Sequence, residues 1–198
     1  MKKEAYVKIN GSGNIILSAP HCVLHKRKKS IRPRETKTGV LVKTLAKKCD
    51  VYGIYKTKNE YNDANWDRFC EYKKEVTQII KKDKIKTLID IHGMAGWREE
   101  DICIGTNFGK NIYGNKKTVK EMVAIFNKYG FEKVTVDRPF SATHPYCVSA
   151  YIAKKCKIPT FQIEINLRYR TNTYEEFKEY PKLERALEEI IEMLKTEI

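Results

Sequence analysis

Two histidines and two glutamates occupy positions from which a chain can do metal chemistry: His21 closing Ser18-Ala19-Pro20-His21, Glu35 in Arg34-Glu35-Thr36, His92 in Asp90-Ile91-His92-Gly93-Met94, and Glu164 in Gln162-Ile163-Glu164-Ile165-Asn166. A catalytic zinc takes three nitrogen or oxygen ligands and leaves a fourth position for water. His21, Glu35 and His92 supply such a set. Their spacings are long and irregular, unlike a helical HExxH pair, so the fold must bring them together. Glu35 also reads as an acid at a helix start, where it suits the dipole. Asp90 lies two residues before His92 and, on a strand, points to the same face; it either orients the imidazole or is simply polar at a strand end.

Hydrolysis of an amide by water activated at a metal needs a further carboxylate, free of the metal, that takes a proton from water and passes it to the leaving nitrogen. Glu164 is the candidate. Strand alternation between Ile163 and Ile165 turns it toward a covered face, where an unpaired carboxylate is costly. The competing reading is a buried partner for Arg168 or Arg170. Those two arginines, with Arg138 and Arg34, offer planar forks for a substrate carboxylate, and the sequence does not choose among them. His144, in Thr143-His144-Pro145, either lines the pocket and polarises a substrate carbonyl or is an ordinary loop residue. His25 is expected to be exposed beside the basic run Lys26-Arg27-Lys28-Lys29.

Positioning these groups requires strands that end beside one another. Residues 5 to 9 and 14 to 18 are short apolar segments around Asn10-Gly11-Ser12-Gly13, which reads as a β-hairpin. A polar loop follows to about residue 34, then a helix through Val40, Leu41 and Leu45, a strand within 50–56, a loop over 59–67 and a helix over 68–82 with Phe69, Tyr72, Val76, Ile79 and Ile80 inward. Lys86-Thr87-Leu88-Ile89-Asp90-Ile91 is a continuous apolar strand of the kind buried on both faces. Strand 101–105, helix 115–128, strand 132–136, helix 147–155, strand 158–165 and an amphipathic helix from about 180 complete the pattern. Such alternation predicts an α/β fold in one domain, 1–198, with a mostly parallel or mixed sheet flanked by helices, and ligands bind such sheets at the strand carboxyl ends.

The 41% apolar and 32% charged composition suits a globular protein, and the start of the chain has no apolar signal core, so a cytoplasmic location is expected. No apolar run approaches the length of a membrane span. The six cysteines are scattered without a CxxC pair and read as reduced, gap-filling thiols. The formal charge of +14 comes mostly from dispersed lysines, without a nucleic-acid module; a solvated surface or an acidic small substrate accounts for it better than nucleic acid.

Ser18-Ala19-Pro20-His21, Leu88-Ile89-Asp90-Ile91-His92-Gly93-Met94 and Phe161-Gln162-Ile163-Glu164-Ile165-Asn166 together resemble the ordered signature of the N-formylglutamate amidohydrolase family, and Asn62-Asp63-Ala64-Asn65-Trp66 and Asp137-Arg138-Pro139-Phe140 fall where that family has loop motifs. The resemblance implies a phosphorylase/hydrolase-like α/β fold related to zinc carboxypeptidases. It implies one zinc on His21, Glu35 and His92, Glu164 as general base and acid, and Asn65 among the substrate-binding residues. Two departures stand out: Cys22-Val23 where glycine is frequent after the first histidine, and Trp66 where relatives have an arginine. The expected activity is cleavage of an amide beside a carboxylate, as in an N-acyl amino acid. A carboxypeptidase-like or poly-γ-glutamate hydrolase acting on an acidic peptide is a second reading, and a non-catalytic polyanion-binding protein a third.

Overall fold

In the computed structural model, residues 5–171 and 179–197 are described. Three strands with nearly unbroken burial form the middle of one sheet: β2 (Ile15–Ala19), β6 (Thr87–Met94) and β9 (Thr160–Asn166). With β1 (Tyr6–Ile9), β5 (Tyr52–Lys56), β7 (Ile102–Gly105) and β8 (Val134–Val136) the sheet order is β1-β5-β2-β6-β9-β7-β8. The β1/β5 and β7/β9 pairs are antiparallel and the rest parallel, the mixed sheet expected from the alternation of elements.

The period of two along each strand divides the core. Ile15, Leu17, Ile89, Ile91, Phe161, Ile163 and Ile165 pack under α1 (Thr38–Lys48), α3 (Lys116–Lys128) and α5 (Glu179–Glu197). Ile16, Ile54 and Leu88 face α2 (Glu71–Lys82) and α4 (Val148–Cys156). In α5 the side chains Leu183, Leu187, Ile190, Ile191 and Leu194 are at most 1% exposed, and each contributes roughly 1.5–3 kcal/mol of burial. The same alternation puts Asp90, His92, Gln162 and Glu164 on the α2/α4 face, where the strand ends open into a cleft. Among the described residues no helix is long and apolar enough to cross a membrane.

Three expectations are corrected. The predicted hairpin of the first two strands does not form, because β5 lies between β1 and β2. The Asn10–Gly13 turn instead crosses the start of β5: the Gly13 N–H donates to the Asp50 carbonyl at 3.1 Å and Ser12 binds the Asp50 carboxylate. A Cβ at Gly11 would collide with the Val51 carbonyl carbon, so the glycine serves a close approach of two backbones. Phe69 precedes α2 and is 83% exposed, whereas Tyr72, Val76 and Ile80 are buried as expected. The basic segment expected to be loop contains an antiparallel ribbon, β3 (His25–Arg27) and β4 (Ser30–Arg32), turning at Lys28 with a φ of 56°.

Candidate metal centre

Three neighbouring strands deliver the site. His21 follows β2 in a turn, and its carbonyl accepts the Glu35 N–H at 2.9 Å, so the β3–β4 segment closes on itself and returns Glu35 to the end of β2. Glu35 therefore lies in the loop before α1 rather than in its first turn. The Gly93 N–H donates to Glu35 Oε2 at 3.0 Å, which ties the same carboxylate to β6. On β9, Glu164 is the register partner of His92.

His21 Nδ1 lies 3.0 Å from Glu35 Oε1, and its Nε2 lies 2.7 Å from Asp63 Oδ1. His92 Nδ1 lies 3.1 Å from Glu35 Oε2, and its Nε2 lies 3.0 Å from Asp90 Oδ2. Each ring thus has a carboxylate oxygen at both nitrogens. A neutral imidazole carries only one N–H, so both contacts are satisfied only by a second proton on each ring or by a cation standing in for the two Nδ1 protons. The ligand atoms of His21, Glu35 and His92 all lie within 4.8 Å of one another. Two imidazole nitrogens and a carboxylate, with each ring oriented from behind by its own aspartate, are a donor set that fits zinc.

The electrostatics follow from this crowding. Burial alone would depress both histidines, but Glu35 and Asp63 hold His21 above its usual value, and Asp90 and Glu35 hold His92 well above it. Burial would raise Glu35, yet His92 and His21 keep it well below the usual carboxylate range. Glu164 differs. Burial pushes it up to about 7, with His92 opposing and Glu35 adding to the rise, and its carboxylate accepts a hydrogen bond from Gln162 Nε2 at 3.0 Å. A carboxyl near neutrality beside a metal-type ligand set is what proton transfer at neutral pH requires.

The remaining sequence candidates fall on both sides. Asn65 lines the cleft with Nδ2 3.1 Å from His92 Nε2, and its Oδ1 accepts the Val148 N–H. His144 lines it too, stacked on Trp66 with ring centres 4.4 Å apart and its Nδ1 buried without a partner. Arg34 stands at the exposed mouth. Arg168 is not in the cleft, because its guanidinium binds the Asp101 carboxylate and the Glu99 carbonyl. Arg138 is exposed and also outside the lining. Glu164 is not ion-paired to Arg168 or Arg170; Arg170 instead directs its guanidinium to the carbonyls of Ile165, Thr36 and Met94. A Cβ at Gly93 would collide with that guanidinium, so glycine is required where Arg170 passes under the end of β6.

Residues without a role in the sequence reading complete the site. Asp63 accepts from Arg27 Nε at 2.6 Å and from the Asn65 N–H at 2.8 Å besides holding His21. His25 is buried, not exposed: its ring stacks on His21 at 3.9 Å, and burial lowers its pKa to about 4. Cys22 turns its thiol to the Ala19 and Lys56 carbonyls, and burial raises it to about 12. The motif around Asp63 is visible in the sequence, but its reach to His21 across an irregular loop is not. Asp63→Asn is expected to weaken zinc binding about 10- to 100-fold, measured by competition with a chromophoric chelator. Unchanged affinity would show that His21 does not depend on this carboxylate.

The cleft above these groups encloses about 770 Å³. No family model matches the chain, and no curated protein matches it in sequence. Solved structures do match in fold. An N-formylglutamate amidohydrolase from Ralstonia eutropha JMP134 superposes with a TM-score of 0.72 at 11% identity, over 98% of this chain and 99% of that one. A bacteriophage poly-gamma-glutamate hydrolase gives 0.59 at 14% identity, over 94% and 87%. A metallo-carboxypeptidase from Burkholderia cenocepacia gives 0.60 at 10% identity, over 97% and 60%. The chain therefore shares its α/β fold with an N-formylglutamate amidohydrolase, a poly-gamma-glutamate hydrolase and a metallo-carboxypeptidase, as the resemblance in its strand-end motifs implies.

Proposed function

We propose that this protein is a zinc-dependent hydrolase of amide bonds whose substrate carries a carboxylate beside the bond cleaved, such as an N-acyl amino acid or an acidic peptide. The observation that carries this reading is the convergence of His21 Nδ1 and His92 Nδ1 on Glu35 while Asp63 and Asp90 hold the far nitrogens. The fold shared with hydrolases of amide and peptide bonds supports it. Zinc held by His21, Glu35 and His92 would supply Lewis acidity toward water and toward an amide carbonyl.

The residues around that centre divide the remaining work. Glu164 takes a proton from the attacking water on its carboxylate and returns it to the departing amide nitrogen, so the group ends in the state in which it began. Burial keeps the ionised form reactive, and the Gln162 amide fixes the orientation of one oxygen. Arg32 and Arg34 stand at the cleft mouth without hydrogen-bond or ion-pair partners among the described residues, and they favour a substrate carboxylate over a neutral group. His144, stacked on Trp66, forms part of the cleft wall against which the substrate would lie.

The test is elemental analysis of protein purified without a histidine tag, together with His21→Ala and His92→Ala, followed by assay on N-formylglutamate, N-acetylglutamate and short glutamyl peptides. About one zinc per chain, lost in both variants, with amide cleavage that follows zinc content, is the expected result. Absence of zinc from the wild-type chain after reconstitution would overturn the reading.

A further inference from the structure

A second cationic feature lies at the cleft edge and has no part in the reaction above. Past His92 and Gly93, Met94 and Ala95 continue along the cleft wall before the chain turns. The Arg98 N–H donates to the Ala95 carbonyl at 3.3 Å, and Asn166 Nδ2 donates to the Arg98 carbonyl at 3.0 Å, so the backbone at this point is held. The Arg98 guanidinium carbon lies 4.7 Å from the ring centre of Trp97 and 4.7 Å from that of Phe140, a residue of the cleft wall. Contact with two aromatic rings fixes the cation without using its N–H groups, which point outward in the guanidinium plane. Among the described residues that side chain has no hydrogen-bond or ion-pair partner. Trp97 itself is 79% exposed.

A guanidinium held in place with its donors unused among the described residues, beside an exposed tryptophan, is the composition of a binding hot spot. Arg98 lies six positions after His92 in the chain, which limits their separation to about 20 Å, within reach of a few residues of extended chain. Arg32 and Arg34 line the cleft as well, so an anionic chain leaving the centre meets further cations.

We propose that Arg98, clamped by Trp97 and Phe140, is a subsite for a second carboxylate of the substrate, and that the preferred substrate is an acidic peptide-like chain running out of the cleft rather than a single N-acyl amino acid. The catalytic end of this proposal rests on the amidohydrolase reading; the subsite rests on Arg98 alone. The carboxylate is taken bidentately in the guanidinium plane, and the free surface of Trp97 covers the methylenes that carry it.

The experiment uses zinc-loaded Glu164→Gln protein, in which ligand is not consumed, and calorimetric titration with pentaglutamate and, separately, N-formylglutamate. Arg98→Gln in this background is expected to cut the preference for pentaglutamate about tenfold, and Trp97→Ala about threefold or more. Lys82→Gln, exposed at the end of α2, controls for net charge and should leave the preference where it was. Thermal melting verifies the fold of each variant. No preference for pentaglutamate, an unchanged preference in Arg98→Gln, or an equal loss in Lys82→Gln overturns the subsite. Arg98-dependent binding with no hydrolysis of any amide by the wild-type enzyme would retain the subsite and overturn the amidohydrolase reading, so the two failures are distinct.

Discussion

Glu164→Gln is expected to lower kcat about 10²- to 10⁴-fold while zinc content stays near one per chain, because the substitution removes a proton acceptor and leaves every ligand in place. Amide replaces carboxylate with almost no change of shape. The Gln162 Nε2 donor still finds an oxygen to bind. The paired readout matters: loss of turnover with loss of zinc would implicate the centre's architecture, whereas loss of turnover alone isolates the proton transfer. Retained turnover would sink the assignment of Glu164.

The same substitution should stabilise the metal-free protein. The folded-state pKa of Glu164 is raised to about 7 by burial, well above the roughly 4.3 of an exposed glutamate. Between those values the native state binds more protons than the unfolded one, so stability falls as pH rises from about 4.3 through 7. The glutamine side chain of the variant has no proton to lose. At pH 8 the metal-free variant should exceed the wild type by on the order of 3–4 kcal/mol, and at pH 4 the gap should vanish. Denaturant melts at the two pH values measure this difference, and a gap independent of pH would remove burial of the charge as its cause. The expected exchange of stability for function is of the kind found where an active site keeps an ionisable group out of water.

The strand ends of the site were legible because β2, β6 and β9 announce themselves as continuous apolar runs, and His21, His92 and Glu164 stand where those runs stop. The shared face of Asp90 and His92 followed from the period of two, and of the two readings open for Asp90 the 3.0 Å contact favours the one in which it orients the ring. What failed depended on distant partners. Gly11 and Gly13 carry the same symbols whether they close a hairpin or slide under Val51, and only the insertion of β5 decides. His25 carries a polar label among lysines, yet stacking on His21 buries it. Arg168 and Arg170 are two residues apart and part company because the short 3-10 turn Leu167–Tyr169, started by the Asn166 side chain accepting the Arg168 N–H, sends one to Asp101 and the other under Gly93. A pattern of residue types does not carry that rotation.

Zinc uptake by the metal-free protein at pH 7.5 is expected to release clearly more protons per ion than two ordinary histidines would. Both buried imidazoles have a carboxylate oxygen at each ring nitrogen and are held above their usual pKa by those carboxylates, so each favours its protonated form, and zinc held by His21, Glu35 and His92 would compete with those protons. Ordinary histidines, with a pKa near 6.5, would release only about 0.2 protons in total at that pH. Calorimetry in buffers of different ionisation enthalpy counts the protons directly. The sign of the accompanying stability change is fixed by the same shifts: His21 and His92 titrate above their unfolded value, so their contribution is complete below about 6.5 and is lost as pH rises through the folded values. Zinc affinity should do the opposite, rising with pH over that window as protons cease to compete for Nδ1. Metal and protons are thus alternative answers to one electrostatic problem, the neutralisation of Glu35, Asp63 and Asp90 gathered around two rings. A release near 0.2 protons would mean that the rings are neutral before zinc arrives, and that the cluster has no need of a cation.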